Sequence, residues 1–299
     1  MRIKFLTLAL ALATLASAQE VTITSHRQIL KGTESCAYNP VLSADGQQLL
    51  FSGDNYTGLK LYDFNDDVTS TITDAAMAGY HPEFSTDGKS VYYMSQTRQD
   101  MRLYRAMNSY SVAAKSSKVI ADGMRRMNAP IALKGGVAVQ SERGIEYSGA
   151  KSTETFVYTE GSELAVVKNG VEKRFTPVAT NYHYLWESLS PNKDKVLFYA
   201  GGKGLYVVDL NGTVLAALGK KYTEPVWYNN DYIVAQQTTD DGHQFESSKL
   251  VLLKADGTFV KDLTKPESMA MNPTASAKAG RIVYNTIDGR MFVMEINIK

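Results

Sequence analysis

The chain lacks most of what marks a disulfide-built domain or a familiar enzyme. One cysteine, Cys36, stands in 299 residues, so an internal disulfide is excluded and stability must come from a packed core. Cys36 has no histidine partner by motif and reads as a small buried hydrophobe rather than a reactive thiol. There is no Gly-x-Ser-x-Gly elbow, which excludes the usual serine hydrolase arrangement, and no glycine loop of phosphate-binding form. Beyond the first 18 residues no apolar run is long enough to cross a bilayer. Neither sign of charge is in excess, with 32 basic residues against 31 acidic ones.

Residues 1–18 have the order of a secretory signal peptide: a basic start in Met1–Phe5, the apolar run "LTLALALATLA", then Ala16-Ser17-Ala18 as the cleavage site. Export is the expectation, to the periplasm or outside the cell, with residues 19–299 as the mature domain. Loss of Arg2 and Lys4 leaves 30 basic against 31 acidic residues, a net charge of −1. That balance argues against nucleic acid and against a polybasic membrane patch. No cofactor is implied, and the oligomeric state is open.

What the chain does have is repetition. Pro40 opens "VLSADGQQLLFSG" and Pro82 opens "EFSTDGKSVYYMS". Weaker copies start at Pro130, Glu187, Pro225 and Pro273, giving steps of 42, 48, 57, 38 and 48 residues. Each copy reads as a short strand, a tight turn such as Asp45-Gly46, an apolar strand, a loop, a third strand and often a fourth. A four-stranded antiparallel meander every 40 to 50 residues, roughly, is a propeller blade. The last copy supplies three strands, and "EVTITSHRQIL" near the mature N-terminus offers a fourth. The expectation is an all-β, six-bladed β-propeller of four-stranded antiparallel blades, its ring closed by the N-terminal strand.

The pattern Pro-x-x-Ser-x-Asp-Gly, an apolar strand, then Leu-Tyr resembles the PD40 (WD40-like) repeat of TolB-like six-bladed propellers. Ser43, Asp45, Gly46, Phe51, Leu61, Tyr62 and Asp63 carry it in the first copy, and Ser85, Asp87, Gly88, Tyr93, Leu103 and Tyr104 in the second. The resemblance implies a fold and says little of function. The Asp-Gly pairs read as turn formers, not as chemistry.

In a propeller, the links into the first strands and the loops between second and third strands share one face, around the channel mouth. The links hold Asn39, His81, Asn128, Trp186, Glu224 and Asn272, candidate ligand-binding groups whose alternative role is to fix an extended link before proline. The longest loop, 142–161, adds Arg143, Tyr147 and Tyr158. "DDGHQFE" adds His243 but lacks the spacing of a calcium loop or a zinc site, so no metal site is assigned.

The reading favours a non-catalytic binding or scaffolding protein that takes a protein, peptide or glycan at the channel mouth. One alternative is a metal-dependent lyase or hydrolase acting on acidic glycans, which requires His81, His183 and His243 to converge. Another is a scaffold that only docks proteins, which requires an exposed apolar patch on one face.

Overall fold

Short runs of consecutive apolar residues, such as Leu49, Leu50 and Phe51 or Val196, Leu197 and Phe198, have two faces to bury. In the computed structural model, which describes residues 20–31, 36–149 and 153–299, seven small sheets bury those faces against one another in a ring. Strand β1 (Val21–Ile29) comes first. Blade one is β2 (Tyr38–Leu42), β3 (Gln48–Ser52), β4 (Leu59–Asp63) and β5 (Val68–Thr73). Blade two is β6 (Glu83–Phe84), β7 (Ser90–Gln99), β8 (Arg102–Ser111) and β9 (Ser116–Met124).

Blades three and four have three strands each: β10 (Ile131–Leu133), β11 (Gly136–Ser141) and β12 (Gly144–Gly149), then β13 (Phe156–Glu160), β14 (Glu163–Lys168) and β15 (Val171–Phe175). Blade five is β16 (Tyr184–Leu189), β17 (Lys195–Ala200), β18 (Gly204–Asp209) and β19 (Val214–Gly219). Blade six is β20 (Tyr222–Trp227), β21 (Tyr232–Asp240), β22 (Phe245–Lys254) and β23 (Val260–Asp262). Blade seven is β24 (Ala270–Ser276), β25 (Arg281–Thr286) and β26 (Met291–Ile298), with β1 as its outer strand. No helix among the described residues is long and apolar enough to cross a membrane.

The blade count corrects the sequence reading: the ring has seven blades, not six. The 57-residue step hid a boundary. Within the supposed loop 142–161 lie β12, which ends blade three, and β13, which belongs to blade four with β14 and β15. Closure does use the N-terminal strand, which pairs antiparallel with β26 from Val21↔Ile298 to Ile29↔Met291. The second-to-third-strand hairpins of blades two and six are long paired strands, and the stretch "DDGHQFE" lies at the tip of the latter. β7 and β8 stay in register out to Gln99↔Arg102, and β21 and β22 out to Thr239↔Ser247, with a bulge before the last pair, Asp240↔Phe245.

Seven apolar clusters fill the seven interfaces between neighbouring blades. In blade one Leu49 and Phe51 pack toward Val283 and Val293 of blade seven, while Leu50 and Leu61 pack toward Val91 and Tyr93 of blade two. Adjacent residues thus serve opposite interfaces, as the two-residue period of a strand requires. Cys36 departs from expectation: it is exposed, on the chain leading into blade one.

The repeated Ser-x-Asp-Gly turn has the same construction twice. Ser43 Oγ donates to Asp45 Oδ1 at 2.7 Å and accepts from Gln48 N at 2.9 Å, and Ser85, Asp87 and Ser90 repeat both distances. Gly46 and Gly88 both have φ of +70°, the left-handed conformation that glycine adopts without strain. In blade five, Ser190 and Asp194 make the equivalent bond at 2.7 Å.

Candidate functional site

The innermost strand of each blade lines the channel, and four of these strands share an irregularity. Pairing is interrupted at Asn39-Pro40, Trp186-Glu187, Glu224-Pro225 and Asn272-Pro273. Bulges release a residue from the ladder and accommodate proline, which has no N–H to give it. Asn39, Trp186, Glu224 and Asn272 all have positive φ, between 47° and 55°, and His81, just before β6, has φ of 45°. The five residues are therefore structurally equivalent. Their backbone is left-handed, not the extended link that proline alone suggested.

Around the mouth they meet one another. Asn272 Nδ2 donates to Asn39 Oδ1 and to Asn285 Oδ1, each at 3.2 Å, and Asn272 N donates to Gln236 Oε1 at 3.1 Å. Asn39 Nδ2 donates to Ser52 Oγ at 3.1 Å. The Trp186 indole hydrogen-bonds the Glu224 carboxylate and meets Tyr199 edge-on at 5.3 Å. Tyr80 stands edge-on to both Tyr56, at 5.3 Å, and His81, at 4.7 Å. Burial, reinforced by the charge of Glu224, pushes the Tyr56 phenol pKa up.

Below the mouth the inner strands are tied by carboxylates and hydroxyls. Ala132 N donates to Glu83 Oε2 at 2.6 Å, joining blades two and three. Thr159 donates to Glu187 from N at 3.2 Å and from Oγ1 at 3.1 Å, joining four and five. Leu42 N donates to Thr274 Oγ1 at 3.0 Å, joining one and seven.

The inner strands carry not one lysine or arginine. Of their glutamates, Glu160, at the exposed β13–β14 turn, is paired with Arg174 at 2.7 Å, whereas Glu83, Glu187 and Glu224 face the lumen. Water reaches these groups through the funnel, yet protein surrounds them, and the charged forms are poorly solvated. Burial lifts Glu83 and Glu224 to about 7, against the opposing hydrogen bonds from Ala132 N and Trp186. Burial raises Glu187 as well, and lowers the His81 imidazole. Carboxyl groups whose pKa burial raises this far are found at functional sites more often than in plain scaffolding.

The other sequence candidates lie elsewhere. Asn128 is exposed in the link into β10, its amide donating to Gln140 Oε1 at 2.6 Å. Arg143 is exposed at the β11–β12 turn and donates to Gly123 O at 3.4 Å. Tyr147 is half-buried on β12, edge-on to Phe156. Tyr158 is 3% exposed on β13, donating to Glu172 at 2.6 Å, and so belongs to the packing of blades three and four. His243 sits at the exposed tip of the β21–β22 hairpin, where Asp241 Oδ1 accepts from His243 N at 2.8 Å and serves the turn. The aromatic side chains of residues 181–186 are divided among three environments. Tyr184 is buried, Trp186 is at the mouth, and Tyr182 borders a shallow groove of ≈ 420 Å³ with Asn181, Gly201 and Lys203.

Among the described residues no group of three or more His, Cys, Asp or Glu is placed to hold a metal. The convergence of His81, His183 and His243 that a metal-dependent lyase needs is therefore not met. Sequence reasoning missed Tyr56, Tyr80 and Glu83 as members of the mouth. One signal was available: Glu83 is a charged residue where the matching position of the first repeat has Val41.

No family model matches the chain, and no curated protein does. Solved structures do. The WD40 β-propeller domain of Doa1 is 11% identical with a TM-score of 0.65, over 93% of this chain and 97% of that one. A chain of the mitotic checkpoint complex is 10% identical with a TM-score of 0.64, over 99% and 98%. TolB from Acinetobacter baumannii is 16% identical with a TM-score of 0.49, over 76% of this chain and 53% of that one. At these identities the likeness is one of fold.

Proposed function

We propose that the protein is an exported, non-catalytic propeller that binds a protein or peptide segment at the channel mouth by admitting one of its cationic side chains. The observation that carries this reading is the asymmetry of the lumen: three lumen-facing glutamates, Glu83, Glu187 and Glu224, and no basic residue on the inner strands, beneath a collar of Trp186, Tyr56 and Tyr80. An ammonium or guanidinium entering there finds aromatic faces that attract cations and, below them, carboxylates that a positive charge would ionise. His81, held neutral by its surroundings, does not compete. Export rests on the leader-like residues 1–18, which lie outside the described residues.

Two observations favour this over the alternatives. The missing metal-holding group removes the basis for a metal-dependent lyase or hydrolase. A scaffold that only docks proteins needs a contiguous apolar face, whereas Val68, Val119, Val171, Leu215 and Val260, all strongly exposed, are scattered over the outer strands of five different blades. A chain of the mitotic checkpoint complex shares the fold, so such a ring is compatible with membership of an assembly.

The chain has two tryptophans, so Trp227→Phe leaves Trp186 as the reporter. Titration with acetyl-Gly-Lys-Gly-amide or acetyl-Gly-Arg-Gly-amide is expected to change its emission saturably. The change should vanish in Glu224→Gln and should strengthen as pH rises through 7, because the cation favours the ionised carboxyl. No change with either peptide, or an equal one with acetyl-Gly-Glu-Gly-amide, overturns the reading.

A further inference from the structure

The outer rim of the same face has the opposite character. Arg98 and Arg102 flank the tip of the β7–β8 hairpin, Arg105 follows on β8, Arg125 and Arg126 begin the link into β10, and Arg143 sits at the β11–β12 turn. A second-to-third-strand hairpin of blade two, its counterpart in blade three and the link between those blades all open on the mouth side, so six of the chain's eleven arginines meet on one sector of the rim. No lysine joins them there, although the chain has 21.

Three of the six are held in place: Arg105 Nη1 donates to Met127 O at 2.8 Å, Arg143 Nη2 to Gly123 O at 3.4 Å, and Arg125 lies over the Tyr104 ring at 5.5 Å. Glu142, the nearest acid in sequence to Arg143, is occupied by backbone, its two carboxylate oxygens accepting from Arg125 N at 2.7 Å and Arg126 N at 2.9 Å. Asp100, Asp122 and Glu146 are the other acids near the rim, Glu146 accepting from Ser141 Oγ at 3.1 Å. Among the described residues Arg174, Arg281 and Arg290 pair with carboxylates, whereas Arg98, Arg102 and Arg126 pair with none. Between them Met101 is 85% exposed and Leu103 39%.

We infer that this sector of blades two and three is a docking surface for an acidic segment of a partner protein, one in which carboxylates alternate with apolar side chains. A guanidinium takes a carboxylate through two parallel hydrogen bonds, which an ammonium cannot do, and that accounts for arginine to the exclusion of lysine. Met101 and Leu103 between the charges suit the apolar side chains of such a segment. They offer nothing to a uniform polyanion such as a nucleic acid or a sulfated glycan. A long polyanion laid across this face would also meet the glutamate-lined lumen. The inference does not depend on what the channel mouth binds.

The test uses the full chain and a fluorescein-labelled peptide, Glu-Glu-Leu repeated four times, followed by anisotropy. Binding is expected that weakens with added salt and falls about a hundredfold in Arg98→Glu/Arg126→Glu, roughly tenfold for each guanidinium–carboxylate pair removed. Lys115→Glu/Lys118→Glu, at the opposite end of the same blade, should bind as the parent does, and so should Glu224→Gln. Arg98→Gln/Arg126→Gln, checked by circular dichroism, repeats the measurement without charge reversal. Unchanged peptide binding in the arginine variants overturns the inference. So does the absence of peptide binding while heparin or phosphatidylserine vesicles bind.

Discussion

Asn272 of the last blade donates to Asn39 of the first at 3.2 Å, and the two occupy the same structural position, with φ of 50° and 53°. They join the ends of the ring on the mouth face, as β1 and β26 join them at the outer edge. Asparagine suits both demands, since it tolerates positive φ better than other residues with a side chain and its amide both donates and accepts. Asn272→Ala is expected to cost about 2–3 kcal/mol, from the missing hydrogen bonds and from a strained backbone. Asn272→Gly keeps the backbone tolerance and should cost about 1 kcal/mol less. Urea midpoints at constant slope would read both, and equal losses would show that the conformation of the bulge is without consequence.

Gly46 and Gly88 offer a matched pair. Both have φ of +70° in the same turn, but a Cβ on Gly46 would lie 2.5 Å from Ala279 Cβ of blade seven, while one on Gly88 meets nothing within 4 Å. Gly88→Ala should therefore cost only the left-handed strain, about 1 kcal/mol. Gly46→Ala should add overpacking of roughly 1–3 kcal/mol. A similar loss at both sites would mean that the blade-seven turn yields freely.

The legibility of the sequence followed its turns. Where Ser-x-Asp-Gly marks a blade, strands and register could be read, because Ser43 and Asp45 build the turn by local hydrogen bonds alone. Blades three and four lack that marker. Their turns are Lys134-Gly135 and Gly161-Ser162, and each blade has three strands, so two blades fitted into one apparent repeat with a long loop. The mouth was half legible. The residue before proline pointed to Asn39, His81, Glu224 and Asn272, and alignment of the repeats to Trp186. Tyr56 and Tyr80 come from other loops, and only the closing of the ring brings them there.

Tyr158 tests how far a tyrosine in an apparent loop differs from one in an interface. Its hydroxyl donates to Glu172 and accepts from Arg174 Nη2 at 3.1 Å, and Arg174 also holds Glu160 at 2.7 Å. Tyr158→Phe should lower stability by about 1 kcal/mol, since it leaves these charged groups one partner short at the surface of blade four. Binding of the lysine peptide at the mouth should not change. A loss of binding with unchanged stability would return Tyr158 to the ligand site.

Glu83 makes the stability of the ring depend on pH. The unfolded chain has an ordinary glutamate, near 4.5, and burial in the fold lifts it to about 7. The folded protein therefore holds a proton that the unfolded chain releases, and the contribution is fully present below pH 4.5 and lost as pH rises through 7. The full loss is on the order of 3 kcal/mol, a tenfold change in proton affinity being about 1.4 kcal/mol. Glu224, also lifted to about 7, acts with the same sign. His81, lowered by burial, acts with the opposite sign, its share being lost as pH falls through its depressed value. Comparison of Glu83→Gln with the parent cancels the other groups, and the glutamine carbonyl still accepts from Ala132 N. The variant's stability relative to the parent should rise by on the order of 2 kcal/mol between pH 5 and pH 8. An identical difference at both pH values would mean that Glu83 titrates as a solvated carboxylate. The acidic lumen would then be wetter than its walls imply, and a cation bound there would draw less from Glu83 than from the aromatic collar above it.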